Sequence, residues 1–105
     1  TDAVAALAAE KIKADLLVKA TDQEGIYTSD PRKYKNATKI ASLGFDELTR
    51  LFEQNKHKAG IHQIIDSEAV MILRKSKTKT VVVSGFKPEN VLSAVKGKRI
   101  GTVIE

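Results

Sequence analysis

Two short apolar runs constrain the fold of this chain more than any other feature. The first, ADLLVKA at 14–20, contains no glycine or proline, and the second, TVVV at 80–83, is rich in β-branched side chains and is soon followed by a glycine. Runs of this length and composition predict buried strands. They are far shorter than the roughly 18–20 apolar residues that a membrane-spanning helix needs. The chain is therefore expected to build a sheet inside a globular domain.

Helical patterns lie on either side of these runs. Thr1 and Asp2 are N-cap residue types, and a first helix is predicted from there to about Lys13. A second is predicted over about 45–52, where acidic residues begin an apolar stripe. The residues predicted to form the inner face of the first helix are Val4, Leu7, Ala8 and Ile12.

Two more helices are predicted in the second half of the chain. Asp66 or Ser67 can cap one of them, and Pro88 suits the first turn of the other, which should stop at Gly97. The residues predicted to face inward are Ala69, Val70, Ile72 and Leu73 in the former and Val91, Leu92, Ala94 and Val95 in the latter.

The order of these segments predicts the fold class. The predicted order is helix, strand, helix, helix, strand, helix and a last strand at 101–104. Such alternation is typical of α/β proteins in which a largely parallel sheet lies between helices, a three-layer αβα arrangement. The 105 residues suffice for one domain and not two. Because parallel sheets usually contain more than three strands, the chain is expected to be part of a larger domain.

Composition and charge exclude several kinds of function. The chain has no cysteine, which excludes disulfides, thiolate metal sites and cysteine nucleophiles. Its alanine-rich start carries an acid and no basic region, so a signal peptide and a membrane partner are not expected. A cytoplasmic location is expected instead. The net charge of +5 is dispersed, and aromatic residues are few. Nucleic acid is therefore not expected as a partner, and a basic RNA-binding module remains a distant alternative.

The loop after the first predicted strand, TDQEGIYTSDPRKYK at 21–35, is the main candidate for a site. Ligands of α/β proteins bind at the carboxyl ends of strands. Thr21 offers a hydroxyl, Tyr27 a flat ring suited to a purine, and Asp30 a carboxylate suited to a ribose or a magnesium ion. Ordinary turn chemistry explains the same residues, and no glycine-rich phosphate loop accompanies them.

This loop resembles a motif of the amino-acid kinase superfamily. TDQEGIYTSDPRK is similar to its T-x-x-D-G-V-Y-T-x-D-P segment, with Glu24 in place of the usual aspartate. The segment 1–40 resembles uridylate (UMP) kinases of the archaeal type, and the similarity continues through KAGIHQIID and KTVVVSG to GKRIGTVIE. It covers the whole chain but only the C-terminal half of such a kinase, so the N-terminal half is expected to be absent.

The resemblance implies roles for six residues. Thr21, Asp22, Tyr27 and Asp30 would contact ATP, with the Tyr27 ring against the adenine. Thr1 would hold the UMP phosphate, and Asp66 would organise phosphate-binding lysines as a catalytic residue. Asp2, beside Thr1, is expected to cap the first helix by its residue type. No residue is predicted as a metal ligand. His57 and His62 are expected to be surface or subunit-contact residues.

The implied function is transfer of the ATP γ-phosphoryl group to UMP, with ATP and Mg²⁺ as cofactors and a hexamer as the assembly. Residues 1–105 would be the ATP-binding portion of the kinase domain, inactive by itself. Another acceptor within the superfamily remains an alternative, because related kinases share the same core motif.

Overall fold

The computed structural model describes residues 1–54 and 64–105. Predictions that fall on the remaining segment, including those for His57 and His62, lie outside the described residues. The helices are α1 (Asp2–Lys11), α2 (Phe45–Gln54), α3 (Ser67–Ser76) and α4 (Glu89–Val95). The strands are β1 (Leu17–Thr21), β2 (Ile26–Tyr27), β3 (Lys39–Ile40), β4 (Ser42–Leu43), β5 (Thr80–Ser84) and β6 (Thr102–Ile104).

Four strands form the main sheet in the order β1-β5-β6-β4. β1 pairs in parallel with β5, and β4 in parallel with β6, whereas β5 and β6 are antiparallel. This confirms an α/β fold with a largely parallel sheet. Pairing of Thr21 with Ser84 brings the carboxyl ends of β1 and β5 together. The loops that follow these two strands therefore leave the sheet at one edge.

Helices pack on both faces of the sheet. On one face α1 and α2 contact α3, and the larger core lies there, with Ile26, Leu48, Leu73 and Ile104 almost completely buried. On the other face α4 contacts β5 and β1 over a smaller core that includes Val81, Val83 and Ala94. The described part of the chain is thus three layers deep, as the order of the segments predicts.

The predicted inner face of α1 is wrong, and that of α4 is confirmed only for Ala94. In α1 the buried residues are Ala6 and Ala9, whereas Val4, Leu7, Ala8 and Ile12 are exposed. In α4 only Ala94 is buried, and Val91, Leu92 and Val95 are exposed. The small alanine side chains allow each helix to approach its neighbour closely, and the larger apolar residues then point outward. In α3 the prediction is confirmed for Ala69, Val70 and Leu73, and Ile72 is half-buried.

The short hairpin of β2 and β3 is attached to the main sheet through Thr102. The buried Thr102 Oγ1 accepts the Ile26 backbone N–H at 2.8 Å and donates to the Ile40 carbonyl at 2.5 Å. Gly101, next to it, has φ +63° and lies so close to the Val82 carbonyl that a side chain would clash. A buried hydroxyl and a required glycine therefore fix the hairpin. Within the described part of the chain, no helix combines the length and apolar character needed to cross a membrane.

Candidate functional site

The first part of the site lies where α1 and α3 begin. Asp2, the first residue of α1, accepts the Lys19 Nζ of β1 at 2.6 Å through Oδ1. Its Oδ2 accepts the backbone N–H of Asp66 at 3.2 Å. The Asp2 carboxylate thus joins the starts of two helices that are 64 positions apart in the sequence. We call Thr1, Asp2, Lys19 and Asp66 the helix-start cluster.

Thr1 and Asp66 have equivalent positions in this cluster. Thr1 is the N-cap of α1, where its Oγ1 accepts the Val4 N–H at 3.4 Å. Asp66 is the N-cap of α3, where its Oδ1 accepts the Glu68 N–H at 2.8 Å. The prediction that Asp2 caps the first helix is wrong, because Thr1 does so and the Asp2 carboxylate is turned toward β1 and α3. Both caps are exposed, so an incoming group can reach them.

The second part of the site is the loop after β1. The Thr21 carbonyl accepts the Gly85 N–H at 2.7 Å, and the Thr21 hydroxyl donates to Asp22 Oδ1 at 3.4 Å. Arg32 lies between two carboxylates, with its NH1 4.0 Å from Asp22 Oδ2 and its Nε 3.3 Å from Asp30 Oδ1. We call Thr21, Asp22, Asp30 and Arg32 the loop cluster.

Asp30 is the buried member of the loop cluster, with 4% of its surface exposed. Its Oδ1 accepts the Arg32 backbone N–H at 2.9 Å, and its carbonyl accepts the N–H groups of Lys33 and Tyr34. The Arg32 backbone N–H lowers the pKa of Asp30 below its ordinary value; burial opposes this, and the Arg32 side chain and the charge of Lys33 add to it. The carboxylate therefore holds the loop in its turn as a charged group.

Tyr27 lies in β2, half-buried and opposite Lys39 of β3. The hairpin anchored by Thr102 thus fixes the backbone of Tyr27. A pocket of about 190 Å³ opens near this hairpin, lined by Glu24, Lys39, Ser84, Lys87, Asn90 and Gly101. Since Ser84 ends β5, the pocket lies at the edge where α/β proteins bind ligands.

The structure brings five of the six predicted site residues into two groups, and Tyr27, in β2, belongs to neither. Thr1 and Asp66 meet through Asp2, and Thr21, Asp22 and Asp30 gather around Arg32. Sequence reasoning missed the roles of Lys19 and Arg32. A single lysine inside an apolar strand was a usable signal for the first, and an arginine two residues after an aspartate was one for the second.

Comparison with known proteins identifies the family. The model of the amino acid kinase family matches residues 1–84. The chain belongs to the amino acid kinase family. It is 44% identical over 105 residues to the uridylate kinase of Methanocella arvoryzae, covering all of this chain and 47% of that protein. It therefore spans about half the length of the curated relatives that it matches.

Solved structures of this kinase family share the fold. The uridylate kinase of Archaeoglobus fulgidus superposes with a TM-score of 0.86 at 42% identity, over 100% of this chain and 46% of that one. The isopentenyl phosphate kinase of T. acidophilum superposes with a TM-score of 0.68 at 27% identity, over 99% of this chain and 38% of that one. The chain is thus similar to uridylate kinases in both sequence and fold, over about half of their length.

Proposed function

We propose that this chain is the C-terminal, ATP-binding half of a uridylate kinase, which transfers the γ-phosphoryl group of ATP to UMP and yields UDP and ADP. The observation that carries the proposal is the similarity to archaeal uridylate kinases along the full chain, at 44% identity. We use "complete kinase" for the polypeptide in which this chain accompanies the other half of the kinase domain.

In this proposal the helix-start cluster serves the acceptor. The exposed Thr1 hydroxyl at the start of α1 binds a phosphate oxygen of UMP, which the helix dipole favours. Asp66 organises the lysines that the other half of the domain supplies. Its exposure at the start of α3 leaves one carboxylate oxygen beyond the capping bond available for this task.

The loop cluster and the hairpin serve ATP. Thr21 and Asp22 contact the nucleotide at the carboxyl end of β1, and the Tyr27 ring lies against the adenine. Asp30 belongs to the same ATP site, and its buried carboxylate supports the loop through Arg32. The buried Thr102 bridge gives the hairpin the fixed position that a stacking ring needs.

The reaction needs positioning and positive charge more than covalent participation of the protein. An oxygen of the UMP phosphate forms the new bond to the γ-phosphorus as the bond to the β–γ bridging oxygen breaks, and ADP leaves. Among residues 1–54 and 64–105, no group of three or more His, Asp or Glu side chains could hold a metal ion. Mg²⁺ accompanying ATP would neutralise negative charge on the phosphates.

Turnover with a panel of acceptors tests the proposal. The complete kinase should consume ATP with UMP, and the 105-residue chain by itself should be inactive because the catalytic lysines are expected in the other half. Turnover of UMP by the isolated chain would contradict the half-domain assignment. Turnover of another acceptor in place of UMP would contradict the uridylate kinase assignment.

A different acceptor is the second candidate. The likeness to an isopentenyl phosphate kinase at 27% identity favours including small phosphate monoesters in the panel. Whole-chain similarity to kinases favours phosphoryl transfer over the RNA-binding alternative. A gel shift with RNA that is sensitive to salt and indifferent to ATP would support that alternative instead.

The proposal includes a hexamer and a cytoplasmic location, where ATP and UMP are available. Exposed apolar side chains on α1 and α3, such as Val4, Leu7 and Met71, favour burial against other protein. Light scattering of the complete kinase tests the assembly, and a monomer would contradict it.

A further inference from the structure

Lys19 is an unusual residue for its position. It occupies the middle of β1, a strand whose other residues are Leu17, Val18, Ala20 and Thr21. Its side chain is 30% exposed, and its ammonium lies 2.6 Å from a carboxylate oxygen of Asp2, which is 23% exposed. Partial burial of the ammonium group costs desolvation free energy, and the charged hydrogen bond to Asp2 offsets this cost. The sheet therefore places a partly buried ion pair beneath the start of α1.

Both oxygens of Asp2 are used in this arrangement. Oδ1 accepts Lys19, and Oδ2 accepts the backbone N–H of Asp66 at the start of α3. One carboxylate thus connects a strand and two helices, and Lys19 is its charged anchor. Because Thr1 and Asp66 cap these two helices, the spacing between the two caps depends on where Asp2 is held.

The space beside the ion pair decides how Lys19 can act. A gap of about 40 Å³ adjoins it, lined by Asp2, Ala5, Leu17, Lys19, Ile65 and Ala69 among others. This volume holds about one water molecule and not a nucleotide phosphate. The gap therefore gives a substrate no access to Lys19, and the contact through which Lys19 can act is its ion pair with Asp2.

We infer that Lys19 is a positioning residue of the kinase, which sets the relative placement of Thr1 and Asp66 by anchoring Asp2. The inference rests on the proposed function. It assigns Lys19 to the acceptor side of the reaction, although its strand ends at the ATP side. Thr21 is held independently, because its backbone pairs with β5 and accepts the Gly85 N–H.

The test is steady-state kinetics of the complete kinase carrying Lys19→Met, Lys19→Arg or Lys79→Met. Lys79 precedes β5, three positions before the Val82 that pairs with Lys19, and its Nζ lies 4.0 Å from Glu105, so Lys79→Met removes a lysine of a different ion pair. Lys19→Met should lower kcat/KM for UMP roughly 10- to 100-fold, as misplaced reacting groups do, and leave KM for ATP unchanged. Lys19→Arg should recover most of the loss, and Lys79→Met should match the wild type.

Several results would overturn the inference. The inference fails if Lys19→Met leaves kcat/KM for UMP unchanged. It also fails if Lys19→Met raises KM for ATP as much as KM for UMP. If Lys19→Met does not fold, Lys19→Arg decides, since its acceptor-side kinetics should be close to wild type and its ATP side unaltered. If the wild type uses another acceptor, the uridylate kinase proposal fails, and the same split between acceptor and ATP still tests Lys19.

Discussion

The helix-start cluster and the loop cluster each include a residue of β1, Lys19 and Thr21, yet they are built in opposite ways. Asp2 contacts Lys19, which is 17 positions away in the sequence, and Asp66, which is 64 positions away. Asp30 instead bonds to the backbone and side chain of Arg32, two positions away. A carboxylate with distant partners depends on the whole fold, whereas one with local partners needs only its own turn. We therefore expect the helix-start cluster to be sensitive to global stability and the loop cluster to be more autonomous.

The largest effect should come from the helix-start cluster, in Asp66→Asn. Asparagine caps a helix about as well as aspartate, so α3 should keep its stability and the melting temperature should change little. If the charge of Asp66 organises the phosphate-binding lysines, kcat of the complete kinase should fall about 10²- to 10³-fold, as it does when a preorganised electrostatic group is removed. A kcat equal to that of the wild type would show that Asp66 acts only as a helix cap.

Thr102→Val should have the next largest effect, on the hairpin that holds Tyr27. It removes the hydroxyl that satisfies the Ile26 N–H and the Ile40 carbonyl, and an unsatisfied buried polar group costs about 1–3 kcal/mol. The free energy of unfolding, measured in urea, should fall by about that amount or more. Thr102→Ser keeps the hydroxyl and is the matched control. Equal losses in the two variants would mean that the methyl group matters and the bridge does not.

Tyr27→Ala sharpens the comparison on the ATP side. Loss of a stacked ring should weaken ATP binding by roughly 1–3 kcal/mol and leave UMP binding unchanged, and calorimetric titration measures both. Tyr27→Phe keeps the ring and should bind ATP as the wild type does. Unchanged ATP affinity in Tyr27→Ala would show that the ring only packs within the hairpin.

The smallest effect should be the acid response of the loop cluster. The lowered pKa of Asp30 means that its carboxylate stabilises the fold above its ordinary pKa and loses this contribution as the pH falls through the lower native pKa. The stability difference between wild type and Asp30→Asn should thus be constant near neutrality and shrink below pH 3.8, the ordinary value. Urea unfolding at a series of pH values measures it. A difference that is independent of pH would contradict an ionised, bonded Asp30.

The segments of the fold could be predicted because their signals are local. The β-branched run at 80–83 forms β5, which is fully buried, and Asp66 caps α3 as its residue type predicts. Strand β1 begins later than the apolar run 14–20 and is only partly buried, since it lies at one end of the described sheet. The inner faces of α1 and α4 could not be predicted, because close approach through alanines selects a face that hydrophobicity does not.

The candidate site divides in the same way. The sequence by itself determined the alternation of helices and strands, the cap Asp66 and the turn that contains Asp30, since all of these depend on residues within a few positions of one another. Only the tertiary structure decided that Asp2 joins Lys19 to Asp66, that Thr102 holds the hairpin, and that β6 runs antiparallel to β5. These contacts depend on strand order and register, which bring together residues that no spacing in the sequence relates.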